Sequence, residues 1–417
     1  MKLPVVAMPL AADRSHRTGA AYDSVFLACY AANTLLMTAI SLLFRYADFV
    51  RWCGGSEQDL GWIVGMGMAG AIWVRYFQGG AMDRWGTRLV WLVSLAAIVA
   101  SVLGHTLVRR VDTVTVYLLR LVYMMGVAGA FGASTTFVSL RAPPGRMAEM
   151  IGILGSSGFV GMAIGPVLGD WLFSFGKLSD QIQRMFFTSA LLVLVSAVCV
   201  VLATRGAPRP ALRRLPPVWA IIWRYHPGSI LLAAAAMGMG LQMPHIFVRA
   251  YGAEIGLAGI RTFFLMYAAT AFVARWATRH WTDRRGPRWG IIGGLAALAA
   301  SMVLQLAVRS DWQWALPAAA AGLGHALLFP AVVSGGTRSF PPRYRGVAVM
   351  LTLAMFDLGA LIGQPLVGTL VNWGRRMQWP AYEVAFSVVA SLLAASAFVF
   401  WLTARHESHD ANVHPAG

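Results

Sequence analysis

An aspartate, Asp357, stands about ten residues into an apolar run that extends from 347 to 372. A histidine, His325, stands about thirteen residues into the run before it, 312 to 336. At about 1.5 Å of rise per helical residue both lie some 15–20 Å from the run's edge. A lone ionised carboxylate at such a depth in hydrocarbon is costly. Asp357 is therefore expected either to carry a proton or bind a substrate cation, or to pin its helix to a partner. His325, at the same depth, could share that proton or serve only in packing.

A second group of candidates lies nearer the opposite edge. Arg120, about six residues into the run 114 to 138, and Asp170, about three residues from the end of the run 150 to 174, have matching depths, so an intramembrane ion pair is expected. Alternatively, Arg120 and Tyr123, on one helix face, could take an anionic substrate group. Tyr30, Asn33, Thr34, Met37 and Ser41 recur at helical spacing along the first run. Such a polar stripe faces protein or water rather than lipid, and the expectation here is a cavity wall. Gln242 and His245 on the seventh run are its weaker companions.

The elements that must position these residues are set by composition. Of the residues, 58% are hydrophobic and only 12% charged, whereas a soluble chain carries charge on about a quarter of its residues. Apolar runs fall near 22–44, 60–80, 88–107, 114–138, 150–174 and 185–204, then near 228–248, 258–277, 289–308, 312–336, 347–372 and 381–403. Each is long enough to cross a bilayer core of about 30 Å. The fold class that follows is an all-α membrane protein of twelve transmembrane helices in two pseudo-symmetric six-helix bundles. The first run is too long for a signal-peptide core and is expected to be retained.

The formal charge of +17 is dispersed in short clusters between the runs rather than gathered in a stripe or tail, which argues against nucleic acid. With a cytoplasmic amino terminus, 22 of the 34 basic residues fall inside and eleven outside, with Arg120 within a span. That bias predicts an inner, cytoplasmic membrane protein with both termini in the cytoplasm. Cys29, Cys53 and Cys199 form neither a disulfide framework nor a metal site.

The longest connection, 205–227, holds five arginines and the stretch from Val218 to Arg224, in which Trp219 and Trp223 are four apart. A short helix there would lay an aromatic face on the headgroups. It divides the chain into an N-terminal bundle, 1–204, and a C-terminal bundle with its tail, 228–417.

The two parts repeat each other. Arg75, Asp83, Arg84, Gly86 and Arg88 recur as Arg275, Asp283, Arg284, Gly286 and Arg288 at an offset of 200. Pro143, Pro144, Gly161, Gly165 and Gly169 recur as Pro341, Pro342, Gly359, Gly363 and Gly368 at 198 or 199. The first block reads as a tight basic turn whose glycine takes positive φ. The second reads as a small-residue helix face that lets a neighbour approach or slide, with Pro166 and Pro365 weakening the helix locally. Duplication of both blocks points to two units that rock against each other, as in a secondary transporter.

These residues resemble the major facilitator superfamily over nearly the whole chain. Gly79, Asp83, Arg84, Gly86 and Arg88 look like its signature between helices 2 and 3, and Arg120 with Gly126 and Gly129 looks like its helix 4 motif. The stretch 161–169, with Gly161, Gly165, Pro166 and Gly169, is similar to the helix 5 motif associated with proton-coupled antiporters. The segments 341–348 and 356–359, with Arg75, look like the arabinose-efflux-like permease branch. Two positions depart from the pattern: Met124 stands where helix 4 commonly has glycine, and Arg279 replaces the glycine equivalent to Gly79.

The resemblance implies that helices 1, 4, 7 and 10 line a central cavity, and that the motif residues Asp83, Arg84, Asp283 and Arg284 act as conformational latches. The expected function is proton-coupled efflux of a sugar, drug or metabolite by alternating access, without cofactor. The alternative is import of a small organic anion. Without a P-loop, a His-rich metal cluster or a G-x-S-x-G elbow, an integral-membrane enzyme is disfavoured. A sensor is disfavoured because the chain has no appended soluble domain. The expected partners are the solute, protons and membrane lipids, with a monomer as the expected state.

Overall fold

The computed structural model describes residues 22–143, 146–206, 218–257, 259–278, 286–341 and 344–413. Twelve long helices cross in alternation: α1 (Ser24–Trp52), α2 (Glu57–Gln78), α3 (Arg84–His105), α4 (Val114–Arg141), α5 (Met147–Leu172) and α6 (Leu178–Ala203), then α7 (Ile230–Glu254), α8 (Arg261–Ala277), α9 (Pro287–Gln305), α10 (Ala315–Arg338), α11 (Arg345–Arg376) and α12 (Ala381–Val413). Among the described residues eleven are long and apolar enough to span a membrane; α8, at 17 residues, falls just short of that length. An even number of crossings returns the chain to the face it started from, here called the terminus face, opposite the far face.

Local chemistry sets the helix ends. Asp23 caps α1 by accepting the Phe26 N–H at 2.8 Å, and Ser56 and Asp59 form a capping box on α2. The α2–α3 and α8–α9 turns each carry the repeated glycine in the left-handed region, Gly86 at φ +81° and Gly286 at φ +74°, where a Cβ would be strained. A short helix, Val218–Tyr225, lies where the linker reading placed one. Its Ile221 packs on Phe340, Val347 and Ala348, while Trp219 and Trp223 face outward.

The glycine faces do the close packing. A Cβ on Gly161 would lie 2.7 Å from the Thr34 carbonyl of α1, and one on Gly359 would lie 1.8 Å from the Ala235 carbonyl of α7. Thus α5 sits on α1 as α11 sits on α7, and the duplication read in the sequence is a duplication in space.

Candidate functional site

The two bundles are joined most firmly at the far face. Gly61 of α2 lies against the Gln364 carbonyl of α11, Gly65 lies against the Pro365 ring, and Gly368 lies against the Glu57 carbonyl. Around this seam Arg375 of α11 pairs with Glu57, which also holds Arg51 at 2.9 Å, and Asn372 donates to Gln58 at 2.6 Å. Arg249 of α7 bonds Asp48 of α1 at 2.9 Å, and Arg51 donates to the Ala250 carbonyl at 3.1 Å. Phe44 of α1 packs on His245 and Phe264, with ring centroids 4.8 and 4.5 Å apart.

Asp170 ends α5 in the same layer. One oxygen takes Arg45 at 2.6 Å; the other accepts the Ile260 and Arg261 N–H groups at 3.3 and 3.2 Å. A carboxylate of one bundle thus caps the first turn of α8 in the other, a favourable placement against the helix dipole. The expected Arg120–Asp170 pair does not form. Arg45, beyond the assigned end of the first run, holds Asp170 instead. In the adjoining 53–56 connection, burial pushes the Cys53 thiol up to about 11, consistent with a packing residue.

The terminus face is built differently. There the ion pairs Arg141–Asp23 and Arg146–Glu149 stay within the first bundle. Among the described residues the length of α1 before Leu43 makes at most marginal contact with α7, as does α4 with α10.

Two flanking seams cross between the bundles at depth. In the first, Arg75 of α2 pairs with Asp357 of α11: Nε donates to one carboxylate oxygen and Nη2 lies 3.4 Å from the other. Asp357 is 2% exposed, so the pair is held away from water. Removing one partner of such a pair typically costs about 3–5 kcal/mol. In the second, Arg275 of α8 lies over Phe159 of α5 at 5.1 Å and Phe329 of α10 at 5.6 Å. Each such ring is worth about 0.5–2 kcal/mol to a cation.

His325 does not meet Asp357. Its Nδ1 lies 2.5 Å from the Tyr267 hydroxyl, and its ring packs on Phe159 and Phe329. Equal depth on consecutive spans did not bring the two together, because α10 turns His325 toward α8 and α5 while α11 turns Asp357 toward α2.

Arg120 is buried between the rings of Tyr46 and Tyr123, at 4.7 and 4.8 Å, and has no carboxylate partner among the described residues. The Tyr46 hydroxyl continues inward to His105 Nε2 at 3.0 Å.

The polar stripe of α1 is mostly a packing face, a correction to the cavity-wall expectation. Gly161 abuts Thr34 and Met37, Gly165 abuts Ser41, Ser41 donates to the Gly161 carbonyl at 2.9 Å, and Asn33 donates to Ser134 of α4 at 3.2 Å. Tyr30, half-buried, lies 3.2 Å from Ser156 of α5. Gln242 is half-buried on α7, and the buried His245 bonds the Leu241 carbonyl through Nδ1.

Of the repeated turn motif, Arg84 is exposed over the Trp85 ring, Arg88 is exposed, and Arg288 donates toward the Trp401 carbonyl at 3.4 Å. The surroundings of Gly79, the side chain of Asp83, and all of Asp283 and Arg284 lie outside what is described. Sequence reasoning missed Gln364, whose side-chain oxygen and nitrogen are both buried without a partner among the described residues at the far-face seam. It also missed the roles of Arg45, Glu57, Arg249 and Arg375. Their charges at the ends of apolar runs were the available signal.

Two six-helix units joined at the far face by glycine seams and ion pairs, with buried charges contributed by both, have the architecture of a membrane transporter. A family profile for the Major Facilitator Superfamily matches residues 24–279 and 228–416, and the chain belongs to that superfamily. Among curated relatives it is 22% identical over 244 residues to "Uncharacterized MFS-type transporter YhhS" of Salmonella enteritidis PT4; the match covers 58% of this chain and 56% of that protein. It is 23% identical over 363 residues to "Multidrug resistance protein MdtG" of Dickeya zeae, covering 80% and 81%. The fold is similar to that of the D-xylose-proton symporter, with a TM-score of 0.73 at 13% identity over 91% of this chain and 97% of that one. It is likewise similar to the nucleoside transporter NupG, with a TM-score of 0.71 at 12% identity over 91% and 98%.

Proposed function

We propose that this protein is a proton-coupled exporter of a small solute, with the terminus face in the cytoplasm and the bundles, 1–204 and 228–417, rocking about the linker 205–227. The observation that carries the reading is the buried Arg75–Asp357 pair between the bundles. The same two helices form the far-face glycine seam, so opening that face repacks the contact that holds the pair. Once Arg75 withdraws, Asp357 must either stay charged in a dry site or accept a proton, and the second course is far cheaper. Proton entry from outside and release inside, where the pair re-forms, would drive solute the other way. The turn motifs around Asp83, Arg84, Asp283 and Arg284 would act as latches at the cytoplasmic rim.

The similarity to MdtG supports efflux, and the likeness to a sugar–proton symporter fold is compatible with proton coupling. The test uses everted vesicles carrying an imposed pH gradient and a panel of pentoses, hexoses and lipophilic cations, with proton movement read by a pH-sensitive dye. Wild type should dissipate the gradient with at least one probe, and Asp357→Asn should lose this while retaining downhill exchange of that probe. Unchanged gradient-driven flux in Asp357→Asn would remove Asp357 from the mechanism.

A second reading, import of an organic anion, is favoured by Arg120, a buried cation between two tyrosines with no acid partner among the described residues. Uptake abolished by Arg120→Gln and retained in Asp357→Asn would select it.

A further inference from the structure

The duplication makes an internal prediction that the structure does not fulfil. Arg75 and Arg275 are equivalent at an offset of 200, and the offset of 198 that relates Gly161 to Gly359 also relates Phe159 to Asp357. The structure respects the equivalence: Arg75 faces Asp357 across α2 and α11, and Arg275 faces Phe159 across α8 and α5. One seam therefore holds a cation with its anion, and the other holds the same cation where the anion has become a phenyl ring.

A phenyl face attracts a guanidinium but accepts no in-plane hydrogen bond. Arg275 is left with Nε and Nη2 both buried and both without a hydrogen-bond partner among the described residues. A guanidinium does not shed its proton, so it cannot become neutral to escape this cost. His325, the other polar group against the same two rings, is engaged at Nδ1 by Tyr267 and contributes no negative charge. The Nε and Nη2 edge of a guanidinium matches two oxygens of a carboxylate or phosphate side by side. Phe159 belongs to the first bundle and Phe329 to the second, so the position lies at the interface between them rather than inside either one.

From this geometry the structure assigns Arg275 as the binding site for an oxyanion, a carboxylate or phosphate group, lying between Phe159 and Phe329. The group could come from the transported solute or from an anionic lipid headgroup entering that interface. The inference takes from the proposed function only that the bundles part around a solute path; proton coupling plays no role in it.

The experiment uses full-length protein in a neutral detergent and reads thermal melting during titration with benzoate, inorganic phosphate and, as neutral control, benzyl alcohol. A parallel titration uses mixed micelles of phosphatidylglycerol against phosphatidylcholine. Wild type should melt several degrees higher with at least one anionic probe and not with its neutral counterpart. Response to benzoate or phosphate assigns the group to a soluble solute, and response to phosphatidylglycerol alone assigns it to lipid. Apparent affinity should fall at least tenfold in Arg275→Gln. Phe159→Asp, which supplies the missing counter-charge without deleting the arginine, should lose the response as well while melting no lower than wild type. Arg275→Lys should retain part of it. An anion response absent from wild type, equal in wild type and Arg275→Gln, or abolished by Arg120→Gln alone would overturn the assignment. Because no pH gradient is used, such a failure would leave the proton-coupling proposal standing, and loss of coupling in Asp357→Asn would leave this one standing.

Discussion

The α2–α11 and α5–α8 seams descend from one repeated unit yet hold their arginines by different chemistry. Arg75 is locked to Asp357 by a buried charge-assisted contact, whereas Arg275 rests on Phe159 and Phe329 with two donors unused. Removing either charge from the first seam exposes the other, so that contact is strong, directional and switchable by a single proton. The second tolerates sliding, because attraction to a ring face varies slowly with position. A rocking transporter can use one seam as the clutch and the other as the bearing, and substitutions should separate the two roles.

The largest effect is expected in the clutch. Arg75→Gln leaves Asp357 buried without its cation, which should cost about 3–5 kcal/mol of stability in detergent melting or denaturant unfolding. The double variant Arg75→Gln with Asp357→Asn should recover most of it, because two neutral amides carry no stranded charge. If the two single costs simply add in the double variant, the contact is incidental and the contrast between the seams collapses.

Next in size is the packing within each bundle. Alanine at Gly359 would put its Cβ 1.8 Å from the Ala235 carbonyl, so α7 and α11 must separate; a cost of about 1–3 kcal/mol or more is expected. Gly61→Ala, with 2.4 Å to the Gln364 carbonyl, acts between bundles instead. It should weaken the far-face seal and raise the labelling of cysteines introduced at positions 58 and 372 by a membrane-impermeant maleimide. Equal labelling with and without Gly61→Ala would show that the charge layer of Glu57, Arg375 and Asp48 holds the seal alone.

Converting the bearing into a second clutch should have a smaller effect. A Phe159→Asp pair with Arg275 worth about 1–2 kcal/mol, broken once per cycle, would slow exchange about tenfold. Initial rates of counterflow in proteoliposomes measure this directly, and an unchanged rate would mean that α5 and α8 do not move apart during the cycle.

How far the sequence foretold this contrast depended on whether a contact is local or needs helix rotation. The tight turns were legible because Gly86 and Gly286 answer a local backbone demand, and the linker helix because Trp219 and Trp223 repeat at helical spacing. The small-residue faces of α5 and α11 were legible as close-approach surfaces, but their neighbours were not. Periodicity on α1 fixes a face without saying what covers it, so a stripe read as cavity wall proved to be the surface on which Gly161 and Gly165 pack. Depth along a run was no guide to pairing. It suggested a proton shared by Asp357 and His325, although α10 and α11 turn them to different seams. Arg75, counted as a topology determinant, became Asp357's partner only once α2 and α11 were set side by side.

The smallest effect on stability tests the conformational part of the account. Gly155, on the terminus side of α5, has nothing within 4 Å of where a Cβ would be, unlike Gly161 and Gly165 on the same helix. Alanine there relieves the helix of glycine's backbone freedom and should stabilise the protein by about 0.5–1 kcal/mol, since no neighbour has to give way. If the open side of α5 is where the bundles meet after rocking, the same methyl group obstructs closure, and transport should fall while melting temperature rises. Gly152→Ala and Gly158→Ala, which also meet open space, extend the test around the helix. Higher stability with unchanged transport in all three would place these glycines against lipid, and the closing surface would then have to be sought on α1, α4, α7 or α10.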